Sequence, residues 1–279
     1  DSLEDLRTGI VLEDVPMIAP NARMVIFDAC YNGDFREQRY IAGEYIFAEG
    51  TTSVSFGNSV NVLQDKSSTD LLGMLGLGFR VGEWAREINI LESHIFGDPT
   101  FRFSGDDAMH VDLNTANIEY WLTLYEEEEH PDLKGLALRR LFHLEYVNLP
   151  ELLVNAYHTS PFHAVRLQVF HLLQHYKGGD FARMIEESIY DPYEFIRRKS
   201  VFSMGRIGDD RFIPSIASIY LNDYLDERVH FNSIFTFDLV DTGKLEAEVK
   251  KQLEENRSYP DKEAVWNEFK TRIDSRKRI

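Results

Sequence analysis

Arg23-Met-Val-Ile-Phe27-Asp-Ala-Cys30-Tyr-Asn-Gly33-Asp-Phe35 is the stretch from which the fold reads outward. Met24 to Phe27 is a short apolar run, the pattern of a buried strand, and Asn32-Gly33-Asp34 follows with turn chemistry. The sole cysteine of the chain therefore falls where a core strand ends. In an α/β sheet the carboxyl ends of strands are where sites are built. Two readings of Cys30 stand. It is a nucleophile with backbone N–H groups beside it, or a buried thiol behaving as a small hydrophobe.

Outward from this stretch, strand and helix signals alternate. Residues 3 to 20 predict a helix and loop, with Leu3, Leu6, Ile10 and Leu12 on one face and Pro16 and Pro20 breaking it. Arg39 to Glu49 has helical spacing and stops at Gly50; Thr51 to Phe56 is β-branched and predicts a second buried strand. Ser67 to Phe79 predicts a helix capped by Ser67, Ser68 or Thr69, and Val81 to Leu91 another. Gly73, Gly76 and Gly78 interrupt the first of these. No Gly-Lys-Ser/Thr follows them, so close packing on a neighbour explains them better than a phosphate cradle. The alternation predicts an α/β domain with a largely parallel sheet over residues 1–104.

A linker with a helix is expected over 105–130. Asn114 or Thr115 is the candidate cap for Ile118, Trp121, Leu122 and Tyr125. The carboxylates Glu126 to Glu129 before His130-Pro131 read as a solvated run and not a metal site, because no second ligand cluster has matching spacing.

From 131 to 279 strand signals vanish and a repeat appears. Arg166, Arg197 and Arg228 recur every 31 residues, and Arg139 precedes them by 27. Pro131, Pro161 and Pro192 precede the first helix of three units. Glycine- and aspartate-rich turns at Asp180, Asp210 and Asp241 divide each unit, which predicts two antiparallel helices per unit. These three carboxylates are expected to cap second helices and to pair with the recurring arginines. Pro260 to Ile279 predicts a final capping helix.

Composition bounds the function. The chain has 279 residues, 43% of them hydrophobic, enough for two cores. A net charge of −17 argues against nucleic acid and anionic membrane surfaces. No apolar run is long enough to span a bilayer. One cysteine excludes an intrachain disulfide framework and a cysteine-based zinc site, and no cofactor or metal is implied. Asp1-Ser-Leu-Glu-Asp-Leu is charged and reads as the interior of a domain, not as a signal peptide.

Phe27-Asp28-Ala29-Cys30-Tyr31-Asn32-Gly33-Asp34-Phe35 resembles the nucleophile segment of the gingipain-type cysteine peptidases, relatives of the caspases and separases. Ile41-Ala42-Gly43-Glu44 is similar to the helix that follows that segment. Gly50 to Asn58 is similar to the next strand, and His94-Ile-Phe-Gly-Asp-Pro-Thr-Phe-Arg102 to the phrase that closes such a domain. Ile207-Gly208-Asp209-Asp210-Arg211-Phe212-Ile213-Pro214 resembles HEAT-type repeats, over about four units from 131 to 256.

The resemblance implies a caspase-like fold, incomplete at its N-terminus, followed by a HEAT-like all-α solenoid. It implies an endopeptidase in which Cys30 attacks the scissile carbonyl. Ser55, Phe56, Gly57 and Asn58 either line the pocket for the residue before the cleaved bond or form an ordinary strand-end turn. Asp28 either orients the nucleophile loop or the family's histidine, or caps the turn at Asn32-Gly33, and those two residues shape the site. The family's histidine precedes its cysteine by about 30 residues. Here the first histidine is His94, so the base is expected upstream of residue 1 and the upstream half of the domain is an expected partner. The resemblance also implies export from a bacterium to the periplasm, surface or medium. The alternative is an inactive peptidase-like scaffold whose helical repeats bind a protein partner.

Overall fold

The computed structural model describes residues 9–61, 69–88, 90–105, 110–176, 179–223, 226–255 and 261–276. It forms two compact units, residues 1–149 and 150–279.

In the first unit, α1 (Val15–Ile18) has Pro16 in its first turn. Proline lacks only an N–H that would be unpaired there, so Pro16 opens a short helix where the sequence expected a helix carrying Leu3 to Leu12 to have ended. Leu3 and Leu6 lie outside the described residues. Next come β1 (Met24–Ile26), α2 (Ile41–Phe47) and β2 (Val54–Asn58). The strands β1 and β2 pair in parallel, Met24 against Val54 and Ile26 against Phe56. Every residue of β2 is buried, because both of its faces are covered. On one face the Ser55 hydroxyl donates to the Ala42 carbonyl of α2 at 2.8 Å. On the other, the Phe56 ring packs at 5.3 Å from Trp84 of α4 (Val81–Ile88).

Between β2 and α4 lies α3 (Gly73–Gly76), far shorter than the helix expected over 67–79; Ser67 and Ser68 lie outside the described residues. The glycines explain the brevity, each weakening a helix by about 1 kcal/mol relative to alanine. Gly73 packs closely, as expected: a Cβ there would collide with the Asp132 carboxylate and His130. At Gly78, φ is +91° and the backbone abuts Gly105.

The sheet closes with β3 (Ser93–Gly97), a strand not expected from the sequence. It pairs antiparallel to β2, Gly57 against His94, so the described sheet is mixed, in the order β1-β2-β3, and not parallel-rich. The cause is the return path. After α3 and α4 the chain comes back to the end of β2 that it left, where Ser59 N–H donates to the Glu92 carbonyl at 2.9 Å. A strand entering there must run the opposite way.

Two further helices complete this unit, α5 (Ile118–Glu127) and α6 (Pro131–His143). Asn117 caps α5, taking the N–H groups of Glu119 and Tyr120 at 3.0 and 3.4 Å. Neither Asn114 nor Thr115, the two expected candidates, is the cap; Thr115 holds Asn117 N–H at 3.2 Å instead. The helix α6, which the sequence grouped with the repeats, belongs to the first unit. Asp132 accepts Gly73 N–H at 2.6 Å, Arg139 lies 3.7 Å from the buried Asp70, and Arg140 pairs with the buried Glu87.

Among the described residues the second unit has helices and no strand. It runs through α7 (Leu149–Thr159), α8 (His163–Leu173), α9 (Gly179–Ser188) and α10 (Glu194–Ile207), then a 3-10 turn at Asp210–Phe212. It continues through α11 (Ile213–Asn222), α12 (Glu227–Phe235), α13 (Thr242–Glu255) and α14 (Lys262–Arg276). The pairs stack like on like, α10 beside α12 and α11 beside α13. Gly208 ends α10 at φ +67°, returning its N–H to the Met204 carbonyl. The last helix covers the array with Phe269 and Ile273, which are buried; Phe269 lies 5.3 Å from Phe237.

The recurring arginines do not pair as expected. Arg166 is bonded to Asp191, and Arg197 to Asp223 and Asp226. Each of these arginines is the fourth residue of its helix. It therefore faces the loop that opens the next first helix, while the mid-unit aspartates lie past the helix's other end, up to about 20 Å away. Asp180 pairs locally with Arg183. Asp210 joins adjacent units by accepting from Asp241 N–H and the Lys244 ammonium. Asp241 does cap a second helix, taking Lys244 N–H of α13 at 2.9 Å. Pro161 and Pro192 stand one residue ahead of the N-caps Phe162 and Tyr193, and of these three unit prolines only Pro131 is within a first turn.

Candidate functional site around Cys30

The loop after β1 lies against the carboxyl end of β2. Phe27 N–H donates to the Phe56 carbonyl at 2.8 Å, Gly33 N–H to that of Asn58 at 2.9 Å and Tyr31 N–H to that of Val60 at 3.2 Å. The turn itself is closed by Asp34 N–H on the Tyr31 carbonyl. The two backbones touch at Gly33 and Gly57. A Cβ on Gly33 would lie 2.7 Å from the Gly57 carbonyl carbon, and one on Gly57 would lie 3.1 Å from Gly33 N. Glycine at both positions is what permits this approach.

Cys30 is exposed on this loop, at the carboxyl end of β1. Its Sγ–H donates to Asn61 Oδ1 at 2.6 Å. The next residue, Tyr31, has a positive φ of 58° and is itself exposed. A non-glycine residue held in this region costs on the order of 1 kcal/mol, and such strain persists where surrounding bonds impose it. Here they are the Tyr31 N–H bond to Val60 and the Asp34 bond to Tyr31.

Asn58 is the brace of the site. Its side chain is buried, its Nδ2 reaches the carbonyls of Phe27 and Ala29 at 3.3 and 3.5 Å, and its Oδ1 accepts the Ser93 hydroxyl at 2.8 Å. One amide thus ties the segment leading to Cys30 to β3. The Asn32 carbonyl accepts Ala42 N–H at 2.8 Å, which fixes the loop to the start of α2.

The residues singled out in the sequence therefore separate. Asn32, Gly33, Gly57 and Asn58 meet beside Cys30 and hold its loop. Ser55 and Phe56 are buried within the sheet sandwich, the hydroxyl of Ser55 spent on Ala42, so neither side chain lines an open pocket. Asp28 is exposed and its carboxylate makes no hydrogen bond among the described residues; the turn is closed by backbone bonds without it.

The chain matches no family model, no curated protein and no solved structure.

Two polar groups near the loop had no signal in the sequence. Asn61 lies three residues beyond the strand, with nothing in its spacing to link it to Cys30. Arg36 forks onto Asp34, Nε and Nη2 each at 2.7 Å, and reaches the Ser59 carbonyl at 3.0 Å. The guanidinium holds the Asp34 carboxyl below the usual carboxylate range.

His94, the first histidine of the chain, sits in β3 with Nε2 2.8 Å from the Ser59 hydroxyl and its ring edge-on to Phe35 at 4.8 Å. Burial pushes its pKa down, favouring the neutral imidazole, against a smaller opposite pull from Glu92. No group of three histidine, cysteine or carboxylate side chains is placed to hold a metal ion among the described residues. No described helix is long and apolar enough to cross a membrane.

Proposed function

We propose that Cys30 is the nucleophile of a cysteine peptidase. The observation that supports this is the exposed thiol at the carboxyl end of a parallel strand pair, on a loop pinned by backbone bonds and carrying strain at the adjacent Tyr31. A thiolate there attacks the carbonyl carbon of a peptide bond, and the carbonyl oxygen takes the negative charge. Collapse expels the amine with a proton and leaves a thioester on Sγ; water then cleaves the thioester and regenerates the thiol. A backbone N–H of the loop pointed at the developing oxyanion would lower the barrier by about 3 kcal/mol. Proton transfer requires a general base within reach of Sγ. In the gingipain-type peptidases that this segment resembles, the base is a histidine about 30 residues before the cysteine.

The experiment is site-specific thiol labelling. The chain, extended by whatever its coding frame carries upstream of Asp1, is treated with a peptidyl acyloxymethyl ketone and the adduct mapped. Labelling of Cys30 faster than in the urea-unfolded chain supports the proposal. Labelling no faster than in the unfolded chain removes it.

A second reading is favoured by the bond to Asn61. An amide oxygen holds the thiol proton but cannot carry it away, as befits a peptidase-like scaffold that no longer turns over. In that case the stacked helices of the second unit, resembling HEAT repeats, do the molecule's work by binding a protein.

A further inference from the structure

We infer that the outer face of the neighbouring first helices α10 and α12 is a docking surface for an acidic amphipathic segment of a protein partner. This rests on the helical array being a protein-binding surface, and is independent of the chemistry at Cys30.

Three aromatic rings stand exposed on this face. Phe231 and Phe235, one turn apart on α12, are 59% and 45% exposed and meet edge to face at 4.7 Å. Phe202 of α10 is 39% exposed. The two helices are in register there, since a Cβ on Gly205 would strike the Thr236 side chain. Phe202, one turn before Gly205, and Phe235, next to Thr236, therefore flank one seam. Isolated exposed apolar residues need no explanation, but rings grouped along a packed seam do.

Charge selects the occupant. The chain as a whole carries −17, yet beyond the first-turn residues Glu194 and Glu227 the charged side chains of α10 and α12 are cationic. Arg197 and Arg198 are engaged with carboxylates. Arg206 and Arg228 are exposed and form no ion pair among the described residues; the Arg206 guanidinium lies over the Phe202 ring at 5.7 Å from its centroid. Acidic side chains gather instead on second helices, at Asp180, Glu186 and Glu187 of α9 and at Glu246, Glu248, Glu254 and Glu255 of α13. An apolar seam flanked by unpaired arginines is complementary to apolar anchors set between carboxylates. A nucleic acid needs a wider basic field than two arginines on an acidic chain. A second copy would bring the same face, with its unpaired arginines, against itself.

The test uses the full chain and two synthetic helical peptides of about four turns. Both carry Leu and Phe at i, i+3, i+4 and i+7; one has Glu at the remaining positions and the other Lys. Binding is read by fluorescence anisotropy and the oligomeric state by light scattering. The Glu peptide should bind, with affinity falling as salt rises, and Phe231→Ala should weaken it about ten-fold without altering the melting temperature. The double variant Arg206→Glu with Arg228→Glu should reverse the preference toward the Lys peptide. Lys250→Glu on α13 should change neither. If Lys250→Glu abolishes binding while the α10 and α12 variants retain it, the array binds through its other side and this inference falls alone. If neither peptide binds, the inference and the binding role it rests on both lose their support. A dimer that Phe231→Ala dissolves would assign the face to a second copy and overturn it.

Discussion

Arg166 and Asp191 form a two-pronged ion pair across 25 residues of sequence, Nε to Oδ2 at 2.7 Å and Nη2 to Oδ1 at 2.9 Å. The third arm of the guanidinium, Nη1, holds the Ser160 carbonyl at 3.1 Å, and Asp191 also takes the Tyr157 hydroxyl and Tyr193 N–H. Both residues are buried. Arg197 repeats the device one unit on, with Nη1 on the Asp191 carbonyl at 3.0 Å and Nε on Asp223 at 2.8 Å. The network thus welds three successive loops.

Asp191→Asn should destabilise the second unit by about 3 kcal/mol, because it strands a buried guanidinium, and urea unfolding followed by circular dichroism would measure it. Burial raises the Asp191 carboxyl, but Arg166, Tyr193 N–H and Tyr157 outweigh it and hold the carboxyl below its ordinary range. A folded pKa below the unfolded one gives stability present above about pH 4 and lost as pH falls through the lowered value. The variant should lack that acid-side dependence, so the two unfolding curves should converge at low pH.

Asn58→Ala should cost about 2 kcal/mol by leaving the Phe27 carbonyl and the Ser93 hydroxyl without their partner. It should also free the Cys30 loop. A thiol-labelling rate that stays at the wild-type value would show that this brace does not position the cysteine.

Cys30→Ala, by contrast, should leave the melting temperature within the small range of a surface substitution, since the thiol is exposed. A destabilisation above about 1 kcal/mol would mean that the thiol serves packing and not chemistry. Asn61→Ala should speed alkylation of Cys30 at neutral pH, because an amide oxygen that accepts from the thiol, and so favours its protonated form, is removed.

Gly73 and Gly76, one turn apart in α3, should respond in opposite senses to alanine. At Gly73 the new methyl meets the Asp132 carboxylate that holds this N–H, and a loss of about 2 kcal/mol is expected. At Gly76 it meets nothing, and helix propensity should stabilise by up to about 1 kcal/mol. Equal thermal shifts for both would contradict the packing described for α3 on α6.

What the sequence determined on its own was local and periodic. The apolar run Met24 to Phe27 set a strand, which ends at Ile26, four residues before Cys30, and the 31-residue recurrence of arginine set the spacing of stacked helices, because strand alternation and repeat length are properties of neighbouring residues. Only the tertiary structure decided the rest. The third strand, Ser93–Gly97, owes its direction to where the chain re-enters the sheet. The partners of the arginines are set by which end of a helix meets the next loop. The bond from Cys30 to Asn61 and the brace at Asn58 join residues about thirty positions apart. No local pattern encodes such pairs, because their geometry exists only once the strands have paired.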